Sequence, residues 1–315
     1  MDKQKLSDKI KAEAERLGFF ACGIAKAEPV DRHTADSYRR WIGEGRNASM
    51  GYLENNTEKR LNPLLLMPGV KSIVSLALNY TPEHTISADE PQLACYALGK
   101  DYHDVMKERL RLLAAALGFE PDTYRAFCDT APVMERYWAV RAGLGWTGLN
   151  HQLIIPKAGS MFFLGELFLP VDLCYDKPME SRCGTCRRCV DACPTHALQP
   201  VFDAGGAIES VCFDSNACIN YQTIENRGEI SESVKECLGN SIYGCDRCQN
   251  ACPWNRFAKP TKVEEFRPSA ELLGMTREKW LSLTEDDYRR LFKGSAVKRA
   301  KYSGLMRNIH DALDK

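Results

Sequence analysis

Apolar residues recur at helical spacing at Leu6, Ile10, Ala14 and Leu17 in an otherwise charged N-terminus, then stop at Gly18. That pattern predicts an amphipathic opening helix. Phe19 to Ile24 and Ser72 to Asn79 read as strands. Asp101 to Leu117 reads as a helix with Val105, Leu112, Leu113 and Ala116 on one face. Tyr124 to Cys128 reads as a strand ending at Asp129, and Ala131 to Ala142 as a helix closed by Gly143 and Gly145. Leu153 to Ile155 and Met161 to Phe168 read as two strands joined by the turn Pro156-Lys157-Ala158-Gly159. Near Asp172 the pattern changes: cysteine is dense as far as Cys252, and after Trp254 the chain turns helical and charged. Three segments are expected: 1–171, mixed α/β; 172–257, cysteine-rich; and 258–315, a short helical tail.

The 315 residues, 44% of them hydrophobic, suffice for a substantial core. Lysine plus arginine (42) balances aspartate plus glutamate (42), which excludes a globally basic coat but not a local basic face. The N-terminus has no apolar signal region and no twin arginine, and Leu64 to Tyr80, the most hydrophobic stretch, is broken by Pro68, Gly69 and Lys71. A soluble, cytoplasmic protein is expected, without membrane contact. Fourteen cysteines could suggest a disulfide scaffold, but such scaffolds belong to small secreted domains, and these cysteines cluster at metal-ligand spacing.

The first motif is Cys183-x2-Cys186-x2-Cys189-x3-Cys193-Pro194, and the second is Cys245-x2-Cys248-x3-Cys252-Pro253. The first has the spacing of bacterial two-cluster ferredoxins. Close thiolates on a tight loop reach three irons of one cubane, while the cysteine before proline points to the other cluster. One 4Fe–4S cluster is therefore assigned Cys183, Cys186, Cys189 and Cys252. The other takes Cys193, Cys245 and Cys248 with a fourth ligand from elsewhere, for which Cys218 is the candidate and Cys212 its competitor. A lone CxxC pair would suit structural zinc; two such motifs with crossed ligands are specific to paired cubanes. Cys22, Cys95, Cys128, Cys174, Cys212 and Cys237 read as buried small hydrophobes. A ferredoxin needs no such long segment before its clusters, so the clusters are expected to feed a redox centre there. No GxGxxG follows a strand, and neither Asp31-Arg32-His33 nor Asp101-Tyr102-His103 continues into a DxHxxG cobalamin motif.

Strings along nearly the whole chain carry a resemblance. They include Met50-Gly51-Tyr52-Leu53, Arg60-Leu61-Asn62-Pro63, Tyr96 through His103 and Asp129-Thr130-Ala131-Pro132-Val133-Met134-Glu135-Arg136. Further on come Ala142 through Gly148, Gly159 through Glu166, Cys218 through Glu225, Gly244-Cys245-Asp246-Arg247-Cys248-Gln249, Cys252-Pro253-Trp254-Asn255 and Ser295 through Arg299. In these the chain resembles the epoxyqueuosine reductase family. The resemblance implies an α+β fold: a nitroreductase-like cobalamin-binding domain, a bacterial-ferredoxin-like domain with two 4Fe–4S clusters, and a short helical C-terminal tail. It implies reduction of epoxyqueuosine to queuosine at the wobble position of tRNA, with base-off cobalamin fed by the clusters. The expected partners are tRNA and a low-potential electron donor, and the chain is expected to act as a monomer. The family's cobalamin sites lack DxHxxG, in agreement with its absence here.

Asp129 matches the family's catalytic aspartate. Opening an epoxide reductively needs a proton, and an acid beside an apolar corrin face would have a raised pKa suited to donation. From the residues alone Asp129 reads as a helix cap, since Asp-Thr-x-Pro opens a helix; the resemblance reverses that order. Cys95 is either a thiol near cobalt or a buried one. Arg60 would contact the corrin's amide or phosphate tail, or else is merely exposed. Tyr221, Gln222 and Asp246, beside cluster ligands, would meet the corrin or only support the cluster loops. His103 would touch substrate or corrin, with a structural role as the simpler reading, and His151 receives no role. Between Tyr288 and His310 lie Arg289, Arg290, Lys293, Lys298, Arg299, Lys301 and Arg307 without a carboxylate. They read as a solvated face or, in a tRNA enzyme, as a phosphate-contacting surface. Many family members continue into a helical-repeat domain, which is expected to be absent here. The alternatives are another cobalamin and iron–sulfur reductase, of the reductive dehalogenase type, and an electron-carrier protein.

Overall fold

The computed structural model describes residues 2–314. Four antiparallel strands form the main sheet in the order β1-β2-β7-β4: β1 is Ala21–Lys26, β2 Ser72–Asn79, β4 Arg125–Phe127 and β7 Phe162–Leu169. The two central strands are buried on both faces, which is why they read as continuous apolar runs. On one face Val74, Leu76 and Leu167 pack against Ile10 and Ala14 of the Lys3–Arg16 helix and Met106 and Leu110 of the Tyr102–Ala116 helix. On the other, Ile73, Ala77 and Phe168 pack against Trp138 and Ala139 of the Glu135–Arg141 helix. One residue interrupts the apolar run of β7: Glu166, 0% exposed, opposite Ser75 on β2 and Phe127 on β4. Pairing by register puts its side chain on the Glu135–Arg141 side.

Most predicted elements occur within a residue or two of their expected ends; two differ instructively. The helix expected from Ala131 begins at Glu135. Asp129 does not cap it: Asp129 is left-handed (φ 56°), and its N–H turns to the Glu135 carboxylate. The strands on either side of Pro156–Gly159 do not form one hairpin. The turn closes, with the Ile155 N–H donating to the Gly159 carbonyl at 2.8 Å. However, β6 (Leu153–Ile154) pairs with β5 (Trp146–Thr147), while β7 enters the main sheet. Asn255 forces the parting. Its Oδ1 lies 2.1 Å from where a Cβ of residue 159 would stand, so only glycine fits (φ 89°), and it accepts the Ser160 N–H at 2.7 Å. The Asn255 amide donates to the Gln249 carbonyl at 2.6 Å within the cysteine-rich lobe, and the Gln249 amide donates to the Ser160 carbonyl at 3.1 Å, which docks that lobe onto the start of β7.

The expected tail is no appendage. A second core joins Leu93 and Leu98, Ile219 and Ile242 of the cysteine-rich segment, and Trp280, Phe292, Leu305 and Ile309 near the C-terminus. β10 (Ser241–Tyr243) pairs in parallel with β3 (Gln92–Leu93). Asn308 on the Lys301–Leu313 helix is 0% exposed and donates to the carbonyls of Thr223 (2.7 Å) and Ile242 (2.9 Å). Within the cysteine-rich segment lies an unforeseen hairpin, β8 (Leu198–Phe202) and β9 (Ile208–Phe213). Its turn is organised by Asp203, whose Oδ1 accepts the N–H groups of Gly205 and Ala207 at 2.8 and 2.9 Å. Among the described residues no helix is long and apolar enough to cross a membrane.

Candidate active site

The eight motif cysteines gather into two groups. Cys189 has Cys252, Cys183 and Cys186 as its thiol neighbours. These four line a small hollow walled by Leu149, Ile154 and Trp254. Cys248 faces Cys245, Cys218 and Cys193. The cysteine before each proline thus crosses to the group of the other motif. Cys218 stands in the second group because it caps the Ile219–Ile224 helix beside β10. Cys212 lies out on β9 opposite Gln199, with Arg46 as its charged neighbour. Burial first, and then Cys252 and Cys183, push the Cys189 thiol up to about 11. Thiolates packed this way repel one another, and a cationic cluster removes that penalty by holding them deprotonated. Among the described residues no three His, Cys, Asp or Glu side chains converge tightly enough for a single ion. The first quartet lines a hollow rather than meeting at a point, an arrangement that suits a cubane.

From the second group a path leads into the N-terminal half. Asp246, next to Cys245, accepts the Cys95 N–H at 2.6 Å, and burial raises its carboxyl above the ordinary range. Tyr96 follows Cys95 and meets the Tyr102 ring edge-on at 6.2 Å. Tyr102, stacked on Phe163 at 4.3 Å, donates its hydroxyl to Asp129.

Asp129 is recessed rather than covered: protein surrounds its carboxylate, yet the side chain is 59% exposed. A raised pKa is expected of it beside a corrin face; the protein's own groups act the other way. Burial pushes the carboxyl up, but hydrogen bonds from His103 and Tyr102 outweigh that and hold it below its ordinary value. His103 bridges two carboxylates, with Nδ1 2.6 Å from Asp101 and Nε2 3.5 Å from Asp129. Burial opposes its charge, but Asp101 and Asp129 prevail and raise its pKa to about 9. The proton at neutral pH therefore sits on His103 and not on Asp129. His103 is a contact that single-sequence reading set aside as structural; its position two residues past the helix-capping Asp101 was the available signal.

Behind Asp129 two further carboxyls escaped the sequence reading. Glu135 accepts the Asp129 N–H, and Glu166 lies within hydrogen-bonding reach of Glu135. Burial first and then the Asp129 charge push Glu135 up to about 8, and burial first and then the Glu135 charge push Glu166 well above the ordinary range. Protonating a glutamate of reference pKa near 4.3 at pH 7 costs about 3.7 kcal/mol. Burying a second, unpaired carboxylate beside the first costs several kcal/mol in desolvation alone, with repulsion added. The neutral form of Glu166 is therefore the cheaper one. A lone acid in an otherwise apolar strand was the signal.

The remaining expected site residues divide. Arg60 donates to the Tyr52 carbonyl at 3.2 Å, while its buried Nε has no partner, an orphaned donor beside the Asp129 opening. Tyr52, 48% exposed, lies between them within electrostatic reach of Asp129, Glu225, Arg299 and Arg60. Cys95 is half-buried, and burial followed by the Asp246 charge keeps it a thiol. Tyr221 and Gln222 are committed inside the chain. The Tyr221 hydroxyl pairs with Ser49 at 2.7 Å, and the Gln222 amide donates to Asn216 at 2.6 Å. His151 bonds to the Val211 carbonyl at 2.9 Å. Of the basic run, Arg289 pairs with Glu285, Arg290 with Glu271 and Asp287, and Arg299 with Glu225; Arg307 donates to the carbonyls of Gln222 and Asn226. The exposed Lys293, Lys298 and Lys301 remain for an external partner.

A family model described as epoxyqueuosine reductase QueG, DUF1730, matches residues 60–130, and one for a 4Fe-4S double cluster binding domain matches residues 182–255. An epoxyqueuosine reductase from Cellulophaga algicola is 42% identical over 98% of this chain and 98% of its own length. The crystal structure of an epoxyqueuosine reductase with a tRNA-Tyr epoxyqueuosine-modified stem loop matches at a TM-score of 0.84. It is 28% identical, over 98% of this chain and 81% of that one. An epoxyqueuosine reductase from Bacillus subtilis, with its catalytic-aspartate loop swung out of the active site, matches at a TM-score of 0.85 and 27% identity, over the same shares of the two chains.

Proposed function

The chain belongs to the epoxyqueuosine reductase family, oxidoreductases of queuosine biosynthesis with a 4Fe–4S double-cluster domain, and on that footing we propose that it reduces epoxyqueuosine to queuosine at the wobble position of tRNA with a base-off cobalamin. The observation that carries this reading is the unbroken path from two cysteine quartets through Asp246 and Cys95 to the recessed Asp129. The reaction takes an epoxide, two electrons and two protons to an alkene and water. Reduced cobalamin, where bound, supplies the reductant at carbon.

The chain's own residues do the rest. Cys183, Cys186, Cys189 and Cys252 hold the outer cluster; Cys193, Cys218, Cys245 and Cys248 hold the inner one. Exposed Arg182, Arg187 and Arg188 border the Cys183–Cys186 loop, a surface suited to an acidic low-potential electron donor. Arg60, through its free Nε, and the Cys95–Asp246 pair would hold the corrin, while Tyr221 and Gln222 act through the loops they brace. Asp129 delivers the proton to the departing oxygen at its Oδ2, and His103 Nε2 replenishes it. Asp101 keeps the imidazole charged and oriented. An apolar corrin face closing over Asp129 would raise its pKa toward donation. The Asp129 turn is the counterpart of the loop that swings in the Bacillus subtilis protein. Lys293, Lys298 and Lys301 offer phosphate contacts to a tRNA stem loop like that bound by the relative.

The test is mass spectrometry of nucleosides from epoxyqueuosine tRNA incubated with reconstituted, reduced protein. Queuosine is expected only when cobalamin is added. Persistence of epoxyqueuosine with clusters and cobalamin both loaded overturns the activity. Conversion without cobalamin overturns the cofactor.

A further inference from the structure

We infer that Glu166 and Glu135 share a proton and together position the Asp129 turn: neutral Glu166 donates to Glu135, and Glu135 holds the Asp129 N–H. The inference rests on the reading of Asp129 as the acid, and it assigns positioning residues that touch neither substrate nor cofactor.

Glu166 is 0% exposed at the middle of β7, and neither of its carboxyl oxygens has a hydrogen-bond partner. Its cross-strand neighbour Ser75 also leaves a buried hydroxyl unpartnered, and Phe127 offers only a ring. Glu135 is therefore the group left for Glu166 to bond. Two carboxylates at that distance repel, and the contact becomes attractive only with a proton between them. Glu135 opens its helix and reaches back to the Asp129 N–H. The other backbone bonds of the turn are local, from the Thr130 N–H to the Cys128 carbonyl and from the Val133 N–H to the Ala131 carbonyl. The Glu135 contact thus ties the backbone of the turn to the helix that packs on the sheet. That tie supports a left-handed aspartate, a conformation that an ordinary side chain adopts at some cost. Losing the shared proton sets two buried negative charges against each other and loosens the one that grips the turn. The ionisable groups facing the pair are Asp129 and Cys128 of the turn, Arg136 of the Glu135 helix, and Tyr102, His103 and Lys107 of the Tyr102–Ala116 helix. Arg136 is exposed, and His103 is already engaged by two carboxylates.

Hydrogen exchange of the segment 128–133, read by mass spectrometry on the cluster-loaded protein without substrate and corrected for intrinsic rates, tests this independently of turnover. In the unaltered chain, protection is expected to persist as Glu135 ionises near pH 8, because Glu166 keeps the shared proton, and to fall roughly 10- to 100-fold only at higher pH, where Glu166 ionises as well. Glu166→Gln keeps a donor that cannot titrate, so protection should stay at its neutral-pH level throughout. Glu135→Gln keeps the acceptor without the charge and should do the same. Glu166→Leu removes the donor, so protection should be low at every pH, with kcat reduced and KM for tRNA unchanged. Asp129→Asn should keep the fall but move it to lower pH, because the Asp129 charge helps hold both glutamates protonated, so failure of the acid assignment and failure of the pair read out separately. The inference is overturned by a pH-independent profile in the unaltered chain, or by a fall retained in both glutamine variants. If Glu166→Leu does not fold, the glutamine variants decide.

Discussion

In the cysteine lobe, eight like groups gather into two quartets, and every thiolate adds the same charge. Around Asp129, unlike groups converge: Asp101 and His103 from the start of one helix, Asp129 from a turn, Glu135 from the start of another helix and Glu166 from a central strand. The lobe cannot balance its own charge and calls for a cation, whereas the acid site distributes its protons among its members. On the proposed reading, one half of the site handles electrons through identical ligands at short spacing, and the other half handles protons through partners that differ in affinity by several powers of ten.

The sharpest break in this contrast comes from Cys218→Ala. It should reduce iron and sulfide from about eight to about four per chain and abolish turnover, while Cys212→Ala keeps both clusters. Iron analysis giving the reverse would exchange their roles. On the proton side, Asp129→Asn should load clusters and cobalamin normally and turn over roughly 10²- to 10⁴-fold more slowly. Near-normal single-turnover conversion would remove Asp129 from the acid role.

A smaller effect is expected from His103→Gln. The His103 pKa is raised in the fold, so its stabilisation is complete below the ordinary histidine pKa of about 6.5 and is lost as pH rises through about 9. The variant should be less stable by on the order of 2 kcal/mol at pH 6, allowing for solvent screening, and should match the unaltered chain at high pH. A difference in Tm that does not vary with pH would deny the imidazolium bridge. Smallest is the outer surface. Replacing Lys293, Lys298 and Lys301 with Ala should flatten the salt dependence of tRNA binding by about 0.9 for each phosphate that is no longer neutralised, without touching clusters or cobalamin. Unchanged affinity across salt would return these lysines to the role of a solvated face.

The basic run shows why charge in sequence is a weak guide to charge on the surface. Arg289 and Arg290 find carboxylates on their own helix or nearby. Arg299 is claimed by Glu225, and Arg307 by backbone carbonyls of the inner cluster region. Absence of acid within the run said nothing about acids brought in by folding. The same holds for Tyr221 and Gln222, whose neighbourhood to Cys218 was legible but whose hydrogen-bond partners were not. The strands β2 and β7 were legible because burial on both faces leaves a continuous apolar run, which needs no knowledge of the partner strand.

The cysteine motifs, the central strands and the family were all legible in the order of residues alone. Thiol spacing and apolar runs are short-range properties that chain geometry carries whatever the surroundings. It took the folded chain to show that the C-terminal helices share a core with β3 and β10, that Asp129 is no helix cap, and that its proton resides on His103. Folding also brought Glu166 under Glu135, because a pKa and a partnership depend on burial, cross-strand register and groups many residues away. None of these quantities is written in the local order of amino acids.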